Sequence, residues 1–343
     1  MDATDEHPGL DLDRFRAFFD DACPGAAQAP LRARLLAGGK SNLTYEVSDG
    51  MRSWVVRRPP LGHVLATAHD MVREHRVITA LRDTDVPVPA TYALCEDPDV
   101  IGAPFYVMEK VEGTPYRLSS ELSALGPDRT AAISARMVDT LATLHAVDPA
   151  DVGLTDFGRP EGFLERQVRR WKKQLDASHS RDLAGADELH AALTTGVPEQ
   201  SPPGIVHGDF RLDNLLVDDS DQVAAVLDWE MATIGDPLTD VALLLVYQRL
   251  ADLESGYAVA DASTAPGFLS NDEMLARYAD RSGRDLSAMG FYLGLAYFKI
   301  AVILEGIHYR YIHGQTVGAG FDTVGAVVEP LIHAGITSLK EHP

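Results

Sequence analysis

The spacing of apolar residues divides the chain into a first part that predicts mainly strands and a second part that predicts mainly helices. Within residues 31–110, apolar and polar positions alternate in short runs, and an Asp-Gly pair between two runs is typical of a hairpin turn. Helices are predicted at residues 10–22 and 68–81. Strands are predicted at residues 44–47, 53–57, 91–95 and 105–110. We therefore expect a small antiparallel sheet accompanied by two helices.

Beyond Glu112 the pattern changes to the period of a helix. Residues 128–145 are the clearest case, because apolar side chains recur there at helical spacing. Residues 205–228 interrupt the helices with short strands and a loop. Further helices are predicted at residues 160–175, 236–250, 271–279, 286–305 and 320–333. The chain is therefore predicted to be α+β, with an N-terminal lobe of residues 1–112 and a larger C-terminal lobe of residues 113–343.

Composition and charge exclude several classes of protein. A content of 45% hydrophobic and 24% charged residues is typical of a folded globular chain. The formal net charge of −21 argues against nonspecific binding to nucleic acid, because the phosphate backbone would be repelled. Two distant cysteines, Cys23 and Cys95, form neither a disulfide framework nor a zinc motif. The polar N-terminus and the short apolar runs predict a cytoplasmic protein without a membrane partner.

The most informative segment is residues 205–217, in which an apolar strand leads into a polar loop and a second strand leaves it. The loop holds Asp209 and Asn214 with four residues between them. Phosphoryl transfer to a hydroxyl needs a carboxylate near the acceptor proton and oxygen ligands for magnesium, and this spacing puts both on one loop. A later strand ends in Asp228, a second candidate magnesium ligand. Chance accounts for any one of these motifs much more readily than for their order along the chain.

These motifs resemble the aminoglycoside phosphotransferase and choline kinase family. Residues 207–214, 228–230 and 235–242 follow its patterns H-G-D-x-x-x-x-N, D-W-E and G-D-P-x-x-D-L-A, with Val241 in place of the leucine. The resemblance covers nearly the whole chain from about Leu36 onward. It implies a bilobal protein-kinase-like fold, with a small antiparallel-sheet N-lobe and a larger, mostly helical C-lobe, and it implies ATP and Mg²⁺ as cofactors.

The same resemblance implies a role for each residue of the loop. Asp209 is expected to be the catalytic base or to orient the acceptor hydroxyl, and Asn214 and Asp228 are expected to be magnesium ligands. Asp236 and Asp240 are expected to be structural, because an Asp at a helix N-terminus accepts hydrogen bonds from the first amides of the helix. They would cap the next helix and hold it to the catalytic loop.

The nucleotide side begins with the sequence Gly-Gly-Lys-Ser ahead of the first hairpin. It is not a Walker A motif, which needs a glycine where Arg34 stands and a helix after the lysine, whereas residues 42–47 predict a strand. In the resembled family the first hairpin carries a G-x-S-N-x-x-Y pattern. By that resemblance Gly39, Ser41 and Asn42 cover the phosphates, and a plain tight turn is the alternative.

Two further pairs are expected to bind the nucleotide. Kinases hold a cation on the third strand against a glutamate of the following helix, and Arg57 and Glu74 match this arrangement. The family usually has lysine where Arg57 stands, so direct contact between Arg57 and phosphate is left open. Residues 105–113 resemble the hinge of the adenine pocket, where the main chain of Glu109 and Val111 would bind the edge of the base.

The acceptor is the part of the function that the sequence determines least. Acidic residues are spread along the chain, so charge does not predict an antibiotic acceptor. Residues 286–310 and the first hairpin resemble a branch of the family associated with acyl-CoA dehydrogenases, which implies a hydroxyacyl metabolite or another metabolic alcohol. Acceptor-side candidates are Arg211, Trp229, Glu230 and Tyr309.

The favoured function is therefore an ATP- and magnesium-dependent phosphotransferase that acts on a small-molecule hydroxyl. A catalytically silent, nucleotide-binding regulatory protein of the same fold is the alternative, and the arginine at position 57 is the feature that favours it. A protein kinase is disfavoured, because the H-R-D, D-F-G and A-P-E motifs of that class are absent from the sequence.

Overall fold

A computed structural model of the chain describes residues 7–36, 42–62, 69–178, 180–252, 260–316 and 320–341. It contains two compact units. The first comprises Met1–Gly113 and Ala224–Ala232, and the second comprises Thr114–Val223 and Thr233–Pro343. The chain thus returns to the first unit for one short segment, which the sequence analysis had counted with the C-terminal lobe.

The first unit is built on a five-stranded antiparallel sheet with the strand order β1-β2-β3-β5-β4. Asp49 forms the turn between β2 and β3, because its carboxylate accepts hydrogen bonds from the amides of Met51 and Arg52 at 2.9 and 2.7 Å. Gly50 follows it with a φ of 87°, a conformation that favours glycine. The strands are β1 (Arg32–Leu35), β2 (Leu43–Ser48), β3 (Ser53–Arg58), β4 (Thr91–Cys95) and β5 (Phe105–Glu109).

Two helices accompany this sheet, as the sequence predicts. Helix α1 (Leu12–Ala22) begins at Asp11, whose carboxylate accepts hydrogen bonds from two amides of the first turn. It buries Phe15 and Phe19 in the core, where the Phe19 ring meets the Trp54 ring edge-on at 5.2 Å. Helix α2 (Met71–Leu81) carries Glu74 on its buried face.

The second unit is mostly helical. A two-stranded antiparallel sheet, β6 (Gly204–Val206) with β9 (Thr233–Gly235), lies among the helices. Between these strands come β7 (Leu215–Val217) and β8 (Val223–Val226), and β8 crosses from the second unit into the first. The helices are α3 (Ser119–Ser123), α4 (Pro127–Ala146), α5 (Phe163–Ser178), α6 (Ala186–Thr195), α7 (Leu238–Asp252), α8 (Asn271–Ser282), α9 (Met289–Ile312) and α10 (Val324–Glu341).

Helices α3 and α6 were not predicted from the sequence. Helix α3 has five residues, too few to show a period. Helix α6 lies in an acidic segment and buries only Ala186, Leu189 and Leu193, a narrow apolar face that gives little signal. Tertiary packing against α9 and α10 therefore contributes more to α6 than its local pattern does.

Helix α9 forms the centre of the second unit and packs against α5, α6, α7 and α10. Among the described residues it is the one helix long and apolar enough to cross a membrane by length and composition, and 83% of its apolar window is buried inside the protein. Burial on all sides explains why its sequence is apolar all round and lacks the two-faced pattern of a surface helix.

Candidate active site

A buried carboxylate of α7 holds the loop after β6 through hydrogen bonds to the loop backbone. Asp240 accepts hydrogen bonds from the amides of His207 and Gly208 at 2.6 and 2.8 Å. Its third partner is the buried ring of His145, at 3.3 Å. Burial raises the pKa of Asp240, but hydrogen bonding and charge from His145 outweigh burial, and the pKa lies below its ordinary value. This confirms the prediction that Asp240 ties its helix to the loop.

Asp236 confirms the matching prediction at the start of α7. Its carboxylate accepts hydrogen bonds from the Leu238 amide at 3.1 Å and from the Tyr292 hydroxyl at 2.7 Å. It also accepts bonds from both the amide and the hydroxyl of Ser201. The residue is fully buried, so these partners satisfy a carboxylate that water does not reach.

The loop brings Asp209 and Asn214 together. The Asn214 side-chain amide donates to the Asp209 carbonyl oxygen at 2.8 Å and to its Oδ2 at 3.2 Å. The Tyr247 hydroxyl of α7 donates to the other carboxylate oxygen, Oδ1, at 2.8 Å. The Asp209 carboxylate is therefore held at both oxygens by neutral donors, and a 3₁₀ turn, Leu212–Asn214, positions one of them.

A lysine from α9 also reaches this loop. Lys299 Nζ donates to the Gly208 carbonyl oxygen at 3.0 Å and lies 5.7 Å from the centre of the Trp171 ring. Burial lowers the pKa of Lys299, although the charges of Asp209 and Asp240 act in the opposite direction. Lys299 was not predicted from the sequence as a site residue. The signal that could have found it is that Lys299 is the only charged residue in the apolar stretch 289–304.

Arg211, an acceptor-side candidate, lies beside Asp209. It pairs with Asp213, with 2.9 Å between its Nε and the carboxylate, and its guanidinium lies 4.9 Å from the centre of the Tyr247 ring. Burial lowers the pKa of Arg211, but the charges of Asp209 and Asp213 outweigh burial and raise it above its ordinary value. Arg211 therefore stays charged at every accessible pH.

A cavity of about 240 Å³ opens beside Arg211 and Tyr247, entirely within the second unit. Its remaining wall is mostly apolar, with Gln248 as a further polar group. Tyr309, another acceptor-side candidate, is not among the lining residues and instead stacks on His313 with 4.1 Å between ring centres. The apolar lining includes Met137, Leu244, Phe268, Ile300, Ile303, Leu304 and Ile307.

In the first unit, Arg57 joins Glu74 to Asp228. Its guanidinium forms a 3.0 Å ion pair with Glu74 and a second ion pair with Asp228, which follows β8. Burial raises the pKa of Glu74 to about 7, and Asp228 adds to this, whereas Arg57 lowers it. One guanidinium thus faces two carboxylates. Asp228 has a φ of 64°, a conformation that costs energy in a non-glycine residue and is common at functional sites.

The two residues that follow Asp228 have different roles in the first unit. Trp229 is buried, and its indole N–H donates to the Val226 carbonyl oxygen at 3.0 Å, so this acceptor-side candidate is a core residue. Glu230 accepts a 3.2 Å hydrogen bond from the Asn42 side chain, and its carboxylate lies 3.6 Å from His69 Nδ1. Glu230 therefore contacts the strand end that carries Asn42.

The remaining nucleotide-side candidates lie at the end of β5 or outside the described residues. Glu109 donates its amide to the Ala90 carbonyl oxygen at 2.7 Å, so in this structure that amide is engaged within the protein. Val111 lies two residues beyond the strand and is half-buried. Gly39 and Ser41 lie outside the residues that the structure describes.

Residues 32–291 match the sequence model that defines the phosphotransferase enzyme family known as APH. The chain belongs to this family. A solved structure from Ralstonia eutropha JMP134, a candidate aminoglycoside phosphotransferase, is 33% identical, with a TM-score of 0.85 over 97% of this chain and 99% of that one. These findings confirm the predicted family and the α+β kinase-like fold, with its antiparallel sheet and larger helical part.

The curated relatives are named as acyl-CoA dehydrogenase family members. Human member 11 is 34% identical over 320 residues, covering 91% of this chain and 40% of that protein. Mouse member 10 is 36% identical over 298 residues, covering 85% of this chain and 28% of that protein. The phosphotransferase chain thus spans about two fifths or less of these relatives, and the predicted branch is confirmed.

More distant structures share the fold alone. The aminoglycoside phosphotransferase APH(4)-Ia, solved as a ternary complex with AMP-PNP and hygromycin B, is 16% identical with a TM-score of 0.61. The macrolide 2′-phosphotransferase MphH from Brachybacterium faecium is 18% identical with a TM-score of 0.59. Both matches cover more than nine tenths of this chain.

Proposed function

We propose that the chain transfers the γ-phosphate of ATP to a hydroxyl group of a small molecule, with magnesium as the metal cofactor. The observation that carries the proposal is the Asp209 carboxylate, held by Asn214 and Tyr247 at the end of a loop that Asp240 fixes. Phosphoryl transfer depends mainly on positioning and on electrostatic stabilisation. The Asp209 carboxylate is fixed at both oxygens, and Asp240 fixes its loop by accepting hydrogen bonds from two loop amides. This arrangement fits that requirement.

In this proposal Asp209 is the catalytic base. The acceptor hydroxyl would bind one of its oxygens, and the carboxylate would orient that hydroxyl and take its proton as the new O–P bond forms. A hydroxyl donor already binds this carboxylate in the structure. Tyr247 lines the cavity, and its hydroxyl donates a 2.8 Å hydrogen bond to Asp209 Oδ1.

Asn214 and Asp228 are the proposed magnesium ligands, and their donor chemistry fits the ion. Magnesium in proteins prefers carboxylate and amide oxygens. Asn214 uses its amide nitrogen to hold Asp209, which directs its amide oxygen away from that bond. Held by these two side chains, magnesium would supply positive charge that neutralises the phosphates of the nucleotide. The described residues contain no group of three His, Cys, Asp or Glu side chains that would hold a metal unaided.

The nucleotide is proposed to bind the first unit through the Arg57–Glu74 pair, the hinge main chain at Glu109 and Val111, and the hairpin that carries Asn42. The ion pair with Glu74 orients the Arg57 guanidinium, and a guanidinium binds phosphate in a planar, bidentate way. Gly39 and Ser41 are proposed to cover the phosphates. Two related structures were solved with AMP-PNP or ADP, which supports nucleotide binding.

The proposed acceptor is an alcohol with an extended apolar part, such as a hydroxyacyl metabolite. The mostly apolar cavity lined by Tyr247, whose hydroxyl bonds to Asp209, supports this, since burial of an alkyl chain in it is favourable by about 25 cal/mol per Å². The names of the curated relatives support the same class. Of the four acceptor-side candidates, Arg211 lines this cavity and is therefore retained in the proposal. The other three, Trp229, Glu230 and Tyr309, do not line it.

A panel of acceptors tests this function. Release of ADP from Mg-ATP would be measured with hydroxyacyl thioesters, free hydroxy acids of increasing chain length, amino alcohols, sugars and aminoglycosides. We expect turnover to rise with the length of the apolar chain. Turnover with aminoglycosides alone would reject the acceptor class, and the absence of acceptor-stimulated turnover across the panel would reject the proposed activity.

One observation favours a second candidate function, a nucleotide-binding protein without catalysis. Arg57 replaces the usual lysine and pairs with Asp228, the residue proposed to bind magnesium. If magnesium does not displace this ion pair, the chain would bind ATP and not turn it over. Calorimetry with ATP, with and without magnesium, separates the two, since an active enzyme should bind Mg-ATP more tightly than free ATP.

A further inference from the structure

Lys299 is a half-buried cation in a stretch of α9 whose other residues are apolar or small, a place where a packing role alone would favour an apolar residue. It lies in the middle of α9, and its ammonium nitrogen contacts a neutral carbonyl oxygen, that of Gly208. Among the residues that the structure describes, the hydrogen-bond partner of the Lys299 ammonium is thus a neutral carbonyl oxygen and not a carboxylate. Partial burial of an ammonium without a paired charge is unfavourable, so a compensating role is expected.

The atom that Lys299 contacts belongs to the peptide that carries Asp209. The carbonyl of this peptide accepts the Lys299 hydrogen bond, and its N–H, that of Asp209, donates to the His207 ring at 3.3 Å. The peptide is therefore held at both ends. Gly208, just before it, has a φ of 86°, so the chain makes a sharp left-handed turn at this point and needs fixed partners to keep one orientation.

Groups from three elements face the Lys299 ammonium. Asp209 on the loop and Asp240 on α7 attract it, whereas Arg170 on α5 repels it. The Trp171 ring, also on α5, is 5.7 Å away and offers its π-face. The two carboxylates favour a charged Lys299, whereas burial and Arg170 disfavour it.

We propose that Lys299 is a positioning residue of the catalytic loop. Its hydrogen bond to the Gly208 carbonyl fixes the peptide between Gly208 and Asp209 and thereby the direction of the Asp209 side chain. The proposal rests on the proposed function, in which Asp209 is the base. Lys299 acts through Asp209 and does not contact the reacting groups.

A substitution distinguishes this role from a purely structural one, because replacing a structural lysine would lower the melting temperature and leave kcat unchanged. Methionine has a similar length and no charge, so Lys299→Met removes the cost of partly burying an ammonium while it fills the same space. We therefore expect the melting temperature of Lys299→Met to equal or exceed that of the unaltered protein. We expect its kcat to fall by on the order of tenfold or more, because the base is less well positioned. KM for Mg-ATP should change by less than about twofold, since uniform binding is unaffected.

The matched control is Lys340→Met, which removes an exposed lysine of α10 whose nearest carboxylate is 3.4 Å away. A second measurement does not require activity. Hydrogen–deuterium exchange followed by mass spectrometry would compare the peptide spanning residues 205–214 with one from α6. We expect exchange at residues 207–209 to quicken by about tenfold in Lys299→Met and to stay unchanged in Lys340→Met.

The outcomes separate the two proposals. A folded Lys299→Met protein with normal kcat and normal loop exchange would overturn the role of Lys299. If the unaltered protein shows no turnover with any acceptor, the proposed function fails, and the exchange measurement alone decides whether Lys299 positions the loop. Lowered melting temperature with unchanged loop exchange would also count against the proposal and would indicate a packing role.

Discussion

The two proposed catalytic carboxylates are held in contrasting ways. Asp228, in the first unit, forms an ion pair with Arg57, so a full positive charge lies beside its carboxylate. Asp209, in the second unit, accepts hydrogen bonds from the neutral side chains of Asn214 and Tyr247. A carboxylate that pairs with a cation is suited to bind a metal ion, and one oriented by neutral donors at both oxygens is suited to hold an acceptor hydroxyl. These two sets of partners are the basis on which we propose a metal-ligand role for Asp228 and a base role for Asp209.

A large effect is expected from Asp228→Asn. The amide is a poorer ligand for magnesium than the carboxylate, and the change leaves Arg57 with one carboxylate partner. We expect the magnesium concentration for half-maximal turnover to rise by on the order of tenfold or more, with a large loss in kcat. Magnesium titrations of turnover and of ATP binding would check this. Asp218→Asn, a change in a turn of the second unit, serves as the control.

A smaller effect is expected from Tyr247→Phe. The change removes the 2.8 Å hydrogen bond to Asp209 Oδ1 and keeps the ring under Arg211. We expect kcat to fall by about three- to tenfold, because a hydrogen bond to a charged group contributes about 1.5–3 kcal/mol and the acceptor hydroxyl replaces part of it. Steady-state kinetics would measure the change, with Tyr311→Phe on the exposed end of α9 as the control. An unaltered kcat would remove Tyr247 from the positioning of the base.

The smallest effect is expected in the pH dependence of stability. Burial raises the pKa of Glu74 to about 7, above its ordinary value of 4.5. The folded state therefore binds this proton more tightly than the unfolded state, so the contribution of Glu74 to the free energy of unfolding decreases as pH rises from about 4.5 to 7. Glu74→Gln should flatten that part of the pH profile.

Urea unfolding at a series of pH values would test this prediction. The double variant with Asp228→Asn offers a further check, since the charge of Asp228 adds to the raised pKa of Glu74. If the free energy of unfolding has the same slope against pH with and without Glu74, the single guanidinium of Arg57 is sufficient to keep both carboxylates charged.

Local patterns predicted much of the fold. The hairpin turn at Asp49 and Gly50 and the long helix α4 carry their signals within a few residues, in a turn pair and in helical spacing. The catalytic loop was recognisable because Asp209 and Asn214 lie on one loop at a set spacing. Each of these features is encoded by neighbours in the chain.

Features that depend on distant contacts could not be predicted in the same way. The stacking of Arg211 on Tyr247 joins residues 36 positions apart, and Lys299 reaches a loop 91 positions away. Trp229 is adjacent to Asp228 in the sequence, and its burial in the core follows only from the packing of the first unit. The apolar cavity is likewise built from several helices, and no single segment indicates it.

The central claim is that Asp209 is the base of a phosphotransferase, and Asp209→Asn tests it most directly. The asparagine keeps the shape of the side chain and removes the proton-accepting charge. With an acceptor that stimulates ADP release by the unaltered protein, we expect turnover by Asp209→Asn to fall by on the order of 10²- to 10⁴-fold. The affinity for Mg-ATP should remain, and Asp219→Asn, an exposed neighbour in the sequence, should behave normally. Turnover by Asp209→Asn equal to that of the unaltered protein would contradict the account.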